Sequence, residues 1–148
     1  MQKFDDEAGV RRRLDLCNMK VSDTEDYFLQ FLTIGKKEKK HLAAELSERL
    51  SNNSCDDGVK QWFLSVKDKS GQIVGKIEVF PAKEDAFFTI EIPNNQWILR
   101  YGDDAIDQFI KTCREKGYFS KIEFDRENPI IDHYRKVHDI QSYIVKTA

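Results

Sequence analysis

The apolar residues of the chain recur at two spacings, one typical of strands and one typical of helices. Residues 86–92 are rich in aromatic and β-branched side chains, which predicts a buried strand. Pro93 and the pair Asn94 and Asn95 should end this strand. A helix is then expected to begin near Gly102 and to end at Gly117. Its apolar face consists of Ala105, Ile106, Phe109, Ile110 and Cys113.

The first part of the chain predicts one strand and two helices. Apolar and polar side chains alternate within residues 14–21, which indicates a strand. The spacing of Ser22 and Glu25 is that of a capping box at the start of a helix. The helix that follows should direct four side chains to the core: Tyr27, Phe28, Phe31 and Leu32. After a charged break at residues 35–40, a second helix should carry Leu42, Ala43, Leu46 and Leu50.

The remaining elements complete a mixed sheet. Residues 62–66 and 73–80 predict a hairpin, and Gly75 inside its second strand indicates a bulge or close packing. A strand is predicted at 121–125 and another at 142–146. Between them, Asn128 and Pro129 should open a helix whose apolar residues are Ile130, Ile131, Tyr134 and Val137. The order β-α-α-β-β-β-α-β-α-β predicts one α+β domain over residues 1–148, with 1–10 as a poorly ordered leader.

Composition excludes several classes of protein. Lys and Arg number 24 against 26 Asp and Glu, and a net charge of −2 argues against non-specific nucleic-acid binding. No apolar run is long enough to cross a bilayer, so no membrane association is expected. The three cysteines lack metal-ligand spacing, and His133 and His138 lack a third ligand. We therefore expect a cytoplasmic protein with reduced thiols and no metal.

The connection between the strand that ends at Ile92 and the helix after it is a candidate phosphate-binding site. The first N–H groups of a helix lack intrahelical partners, so a strand–loop–helix connection can hold a phosphate. Most connections of this kind bind nothing, and an ordinary strand–helix turn is the alternative.

Three short motifs resemble those of the GNAT N-acetyltransferase superfamily. The hairpin at residues 71–79 resembles the pattern G-x-x-V/I-G-x-I/A of its central strands. Residues 101–106 resemble the Y-G-T-E-A-L ending of its acetyl-CoA loop. Residues 128–134 resemble its N-x-x-A/S-x-x-x-Y motif, with Asn128 six positions before Tyr134. The order of elements agrees over nearly the whole chain, so the resemblance implies a GNAT-like fold.

The resemblance also implies an activity and a set of site residues. A GNAT enzyme transfers acetyl from acetyl-CoA to a primary amine of a small molecule or protein. Ile92 would end the strand that pairs with pantetheine, and Asn128 would contact the cofactor. Tyr134 would protonate the departing thiolate, while Glu91 leaves the opposite face of its strand and could reach the amine. The pyrophosphate loop would comprise Ile98, Leu99, Arg100, Tyr101, Gly102, Asp103, Asp104 and Ala105.

Some of the same residues depart from the family pattern and keep a second hypothesis open. Arg100 stands where the loop has its first glycine, and Asp103 places a negative charge beside the expected pyrophosphate. His138 and Asp139 replace the Gly-Phe pair that follows the last helix. Tyr134 also has a simpler interpretation as a core aromatic residue, and Glu91 and Glu78 as solvated or salt-bridged strand residues. The alternative to an acetyltransferase is therefore a lapsed GNAT-like module that binds or regulates.

Overall fold

The computed structural model describes residues 14–52 and 61–147, except for the side chain of Asn52, and has one six-stranded sheet with four helices. The order of elements is the predicted one. Predictions for residues 1–10, for Cys55 and for most of the loop at 51–58 lie outside the described residues. The elements are β1 (Leu14–Asn18), α1 (Asp23–Phe28), α2 (Lys36–Asn52), β2 (Trp62–Asp68), β3 (Ile73–Ala82), β4 (Asp85–Glu91), α3 (Asn95–Lys116), β5 (Lys121–Phe124), α4 (Pro129–Val137) and β6 (Ile144–Lys146).

The six strands lie in the sheet in the order in which they occur in the chain. Neighbouring strands are antiparallel except β4 and β5, which are parallel. A parallel pair needs a crossover connection, and the 22-residue helix α3 supplies it. The fold is therefore α+β, as the sequence predicts.

The sheet separates two hydrophobic clusters. The larger cluster contains α3, α4 and the inward side chains of the strands, with Phe88 packed 4.8 Å from Phe109 and 5.4 Å from Phe124 between ring centroids. The smaller cluster lies under α1 and α2, where Tyr27 and Phe63 are buried. Because β4 alternates, Ile90 enters the larger cluster while Glu91 faces the other side.

Helix α3 begins at Asn95, and the prediction that it begins near Gly102 is wrong. The side chain of Asn94 accepts a hydrogen bond from the backbone N–H of Gln96 at 3.0 Å and caps the helix there. Trp97, Ile98 and Tyr101 then continue the apolar stripe against the core. The predicted end is confirmed, because Gly117 adopts the left-handed conformation with φ of 67°.

The first two helices differ from prediction in detail. The Ser22 side chain makes no cap hydrogen bond, so the capping box is wrong. Helix α1 lasts only six residues, and the chain turns before Leu32, which is 71% exposed instead of facing the core. Helix α2 begins at Lys36, inside the predicted charged break. Val137, the last residue of α4, is also exposed instead of packed.

Gly75 shows both features predicted for it. Val66 pairs with Gly75 and Lys67 with Ile73, so one residue of β3 is extra and forms a bulge. A Cβ atom on Gly75 would lie 2.7 Å from the carbonyl oxygen of Glu91 and 3.0 Å from Cγ1 of Ile92. The close approach of β3 to the end of β4 therefore requires glycine.

Replacing Gly75 with alanine should destabilise the fold by about 1–3 kcal/mol, because the backbone of β4 must move away from the added carbon. Gly35→Ala is the matched control, since nothing lies within 4 Å of a Cβ there. Urea unfolding followed by circular dichroism measures both. Equal stabilities for the two variants would contradict the close approach.

Candidate functional site

The residues predicted to form a pyrophosphate loop lie inside α3 instead. Ile98, Leu99, Arg100, Tyr101, Gly102, Asp103, Asp104 and Ala105 are all helical. Beyond the first turn, a helical N–H bonds the carbonyl one turn back and is not free for a phosphate oxygen. The loop prediction is therefore wrong in its local structure. The helix begins at Asn95 instead, and there the N–H of Gln96 already donates to the side chain of Asn94.

Apolar side chains fill the space in front of Gly102. A Cβ on Gly102 would lie 2.9 Å from Cγ2 of Ile130 and 3.9 Å from Cδ1 of Ile92. Both isoleucines are buried, Ile92 to 4% exposure. Glycine at this position thus allows α4 to approach α3 closely. Nearby, Leu99 is 76% exposed and the guanidinium of Arg100 lies 5.1 Å from the ring centroid of Tyr101.

Polar contacts also join α3 to α4. Nε2 of His133 lies 3.7 Å from Oδ2 of Asp103, and the hydroxyl of Tyr134 donates to Oδ1 of Asp107 at 3.2 Å. Oδ1 of Asp103 is buried and has no hydrogen-bond partner among the described residues. Two carboxylates between the helices make this seam unfavourable for a negatively charged pyrophosphate.

Tyr134 is a core residue in this structure. Burial, followed by the negative charge of Asp107 and the hydrogen bond to it, raises the pKa of Tyr134 well above its ordinary value. The motif N-x-x-A/S-x-x-x-Y also places its tyrosine seven residues after the asparagine, which is Arg135 here, so the six-residue match to Tyr134 is corrected. The guanidinium of Arg135 lies 3.6 Å from the ring centroid of Tyr143 and donates to the carbonyl of Gln141.

Asn128 connects α4 to the end of β4. Its Oδ1 caps the helix by accepting from the N–H of Ile130 at 2.9 Å. Its Nδ2 donates to Oγ1 of Thr89 and to the carbonyl of Ile90, both at 2.7 Å. Because both sides of the amide already have partners, Asn128 needs no cofactor to satisfy it.

The pairing of the two strands beside Asn128 stops before β4 ends. Pairing of β4 with β5 ends at Phe88 and Phe124. Beyond that point, side chains bridge the two segments, with Oγ1 of Thr89 donating to Asp125 at 2.8 Å in addition to the contacts of Asn128. Side-chain hydrogen bonds thus replace the backbone ladder between these two segments.

Glu91 lies on the other face of the sheet, in a polar cluster. The hydroxyl of Tyr27 donates to Oε1 of Glu91, and Nζ of Lys76 lies 3.4 Å from the same oxygen. Lys76 also pairs with Glu78 at 2.6 Å, and its ammonium lies 5.5 Å from the ring centroid of Tyr27. Burial, then the charge and hydrogen bond of Glu91, raises the pKa of Tyr27 well above its ordinary value.

Sequence reasoning missed Tyr27 and Lys76 as members of this cluster. Its helical spacing predicts Tyr27 in the core, and the residue is fully buried there. Lys76 interrupts an otherwise apolar strand and lies directly across from Glu91 in the β3–β4 ladder. A lysine within an apolar strand is the one signal that could have marked it.

A cavity of about 500 Å³ opens above the cluster, between the sheet and α2. Four carboxylates line it against two cations, so its walls carry an excess of negative charge. One of the cations, Arg49, already donates to Gln61 at 2.9 Å and lies 5.2 Å from the ring centroid of Phe63. Such a cavity suits a positively charged group. Its charged lining residues are Glu45, Glu48, Arg49, Lys76, Glu78 and Glu91.

The two residues predicted to be catalytic are not brought together. Tyr134 belongs to the cluster under α3 and α4, whereas Glu91 borders the cavity under α2. Over residues 14–52 and 61–147, no group of three or more His, Cys, Asp or Glu residues could hold a metal ion. No helix in that part of the chain has the length and apolarity needed to span a membrane.

No protein-family model matches the sequence, and no curated protein matches it significantly. Solved structures do resemble it. A spermidine N-acetyltransferase chimera from Vibrio cholerae and hSSAT has a TM-score of 0.63 at 17% identity, covering 84% of this chain and 78% of that chain. Mutant forms of the Vibrio cholerae spermidine/spermine N-acetyltransferase score 0.59 at 15%, covering 85% and 78%. A GNAT-family acetyltransferase from Staphylococcus aureus scores 0.51 at 16%, covering 86% and 81%.

These comparisons agree with the topology derived above. At such low identity they show the fold alone, which is that of the GNAT acetyltransferases. The predicted fold is confirmed.

Asn128→Ala should lower the free energy of unfolding by more than the loss of a helix cap alone would. The cap is worth about 1 kcal/mol, and the buried carbonyl of Ile90 left without a donor should add about 1–3 kcal/mol. Asn94→Ala removes a cap alone and is the matched control. Equal losses of unfolding free energy for the two variants would show that the link to β4 contributes nothing.

Alkaline titration should show that Tyr27 and Tyr134 ionise at higher pH than an ordinary tyrosine. Their pKa values are raised in the folded state, so the stability they confer is present below pH about 10 and is lost as pH rises beyond it. Two of the five tyrosines should therefore ionise only as the protein unfolds, seen as a late step in phenolate absorbance. A Tyr27→Phe, Tyr134→Phe double variant should lack that step; its persistence would contradict the assignment.

Proposed function

We propose that this chain, which has the fold of the GNAT acetyltransferases, is a binding module for an amine in which acetyl transfer has lapsed. One observation carries the proposal. The segment that would form the pyrophosphate loop continues α3, and its Gly102 packs against Ile130. A diphosphate has neither free backbone donors nor open space there. The free thiols of Cys17 and Cys113 support a cytoplasmic location for the module.

The acidic cavity supports an amine as the ligand. Glu91 leaves about half of its side chain exposed and faces the cavity together with Glu78 and the outer carboxylates of α2. Lys76 neutralises one of the two inner carboxylates, so one negative charge remains for a ligand's ammonium. Tyr27 fixes the carboxylate of Glu91 through its hydrogen bond.

The second candidate function is acetyl-CoA-dependent N-acetylation of a primary amine. The end of β4–β5 pairing at Phe88 and Phe124 favours it, because the resemblance places pantetheine between these strands. Glu91 would then accept a proton from the amine, the amine nitrogen would attack the thioester, and the departing thiolate would need an acid. Binding would require the first turns of α3 to unwind and Asn128 to release Ile90.

Titration calorimetry with acetyl-CoA at millimolar concentration separates the two functions. The lapsed module should give no heat and no thermal shift. Reverting Arg100→Gly and Asp103→Thr together should restore some affinity, because the first change disfavours the helix and the second removes a carboxylate. Saturable binding or acetyl transfer by the unaltered chain would overturn the proposal in favour of the enzyme.

The amine site is tested separately with n-butylamine, using n-butanol as its uncharged counterpart. The amine should shift the backbone NMR signals of Lys76 and Glu91 saturably, and the alcohol should not. Glu91→Gln should weaken amine binding about three- to tenfold, because one attractive charge is lost in a partly screened cavity. Glu115→Gln, on the exposed surface of α3, is the control. Equal shifts by amine and alcohol would exclude an ammonium site.

A further inference from the structure

A second cavity, of about 250 Å³, lies on the α3 face of the sheet at the β1 edge. It is bordered by β1, β2, the last turns of α3 and Tyr118, and we call it the Trp62 cavity. It shares no lining residue with the acidic cavity and includes none of residues 98–105. Neither proposed function uses it.

The floor of the Trp62 cavity is apolar. Leu64, Phe109 and Cys113 form it, and each is at most 6% exposed. Burial raises the pKa of the Cys113 thiol to about 11, so the thiol is neutral at physiological pH. The inner end of a ligand in this cavity must therefore be uncharged and apolar.

An aromatic wall stands above this floor. The rings of Trp62 and Tyr118 meet edge to face with centroids 5.7 Å apart and planes at 85°. Nε1 of Trp62 donates to Oδ1 of Asn18 at 2.6 Å, which satisfies the polar edge of the indole and fixes its orientation. Tyr118 remains 49% exposed although it is large and aromatic. The two nearly perpendicular rings form an aromatic corner at the side of the cavity.

The charge at the Trp62 cavity is positive. Among the described residues that line it, Lys116 is the one charged side chain, and no carboxylate is present. Thr112 adds a hydroxyl. An apolar floor, an aromatic wall and a cation at the rim are complementary to a ligand with a flat hydrophobic body and one negative end.

We propose that the Trp62 cavity binds a small aromatic carboxylate. Its ring lies on the floor against Trp62, and its carboxylate faces the ammonium of Lys116. The volume falls below the range for drug-sized ligands, which limits the occupant to one or two rings. The proposal is independent of the amine site, because the two cavities have opposite charge and lie on opposite faces of the sheet.

Indole-3-acetate is the probe for this test, and indole-3-acetamide is its neutral counterpart of nearly the same shape. The chain has two tryptophans, and Trp97 lies near Tyr101 at the other end of α3. The indole N–H signals in the NMR spectrum therefore report the cavity and an internal control at once. The acid should shift the Trp62 signal saturably at millimolar concentration and leave the Trp97 signal unchanged.

Lys116→Gln should weaken binding of the acid about three- to tenfold and make the acid and the amide bind alike, as expected for the loss of one charge contact. Both Lys116 and Lys111 are exposed on α3, so Lys111→Gln is the matched control, and it should bind the acid as the unaltered chain does. No saturable shift of Trp62, equal affinity for acid and amide in the unaltered chain, or equal loss in both lysine variants would overturn the proposal.

Discussion

The structure depends on the close packing of three apolar segments around Ile92. Gly75 on one side and Gly102 on the other both lack a side chain where Ile92 lies, and Ile130 approaches from α4. Interiors are close-packed, so this contact fixes how near α3, α4 and the end of β4 can be. With Ile92 and Ile130 in place, α3 continues as a regular helix through the region where a cofactor loop would otherwise lie.

The sheet keeps two different chemistries apart. Side chains on the α3 face are almost all apolar, and the polar contacts there, such as Tyr134 with Asp107 and Asn128 with Ile90, join one element to another. Side chains on the α1 and α2 face include a buried lysine with two carboxylate partners. A buried ion pair is costly to form and is weak evidence for stability, and this one borders the cavity to which we assign amine binding. The alternation of β4 places Ile90 and Glu91 in these two environments.

Much of the fold could be predicted from the sequence because its signals are local. The order of elements, the end of α3 at Gly117, the bulge at Gly75 and the cap at Asn128 all depend on residues close together in the chain. The start of α3 was missed because Asn94 was assigned to the turn that ends β4, whereas its side chain caps the helix and Trp97 and Tyr101 already follow the helical spacing.

The candidate site was less predictable, since its contacts join residues far apart in sequence. The hydrogen bond between Tyr27 and Glu91 joins residues 64 positions apart, and no local sequence pattern predicts it. Tyr134 has the right residue type for a catalytic acid, but its direction is set by the helix on which it lies. One position along α4 turns a side chain by roughly 100°, which is why a count of six instead of seven from Asn128 changes the environment of the tyrosine.

The buried thiol of Cys113 can serve as a chemical probe of local fluctuations in the protein. It lies with no exposed surface between α3 and the sheet, and its pKa near 11 keeps it from forming the nucleophilic thiolate. Because it forms part of the floor of the Trp62 cavity, an alkylating reagent can approach it through that cavity or when the carboxyl-terminal half of α3 detaches transiently. The rate of its modification in the unaltered protein therefore reports how freely the Trp62 cavity and the end of α3 admit a reagent, and a ligand seated in the cavity should slow it.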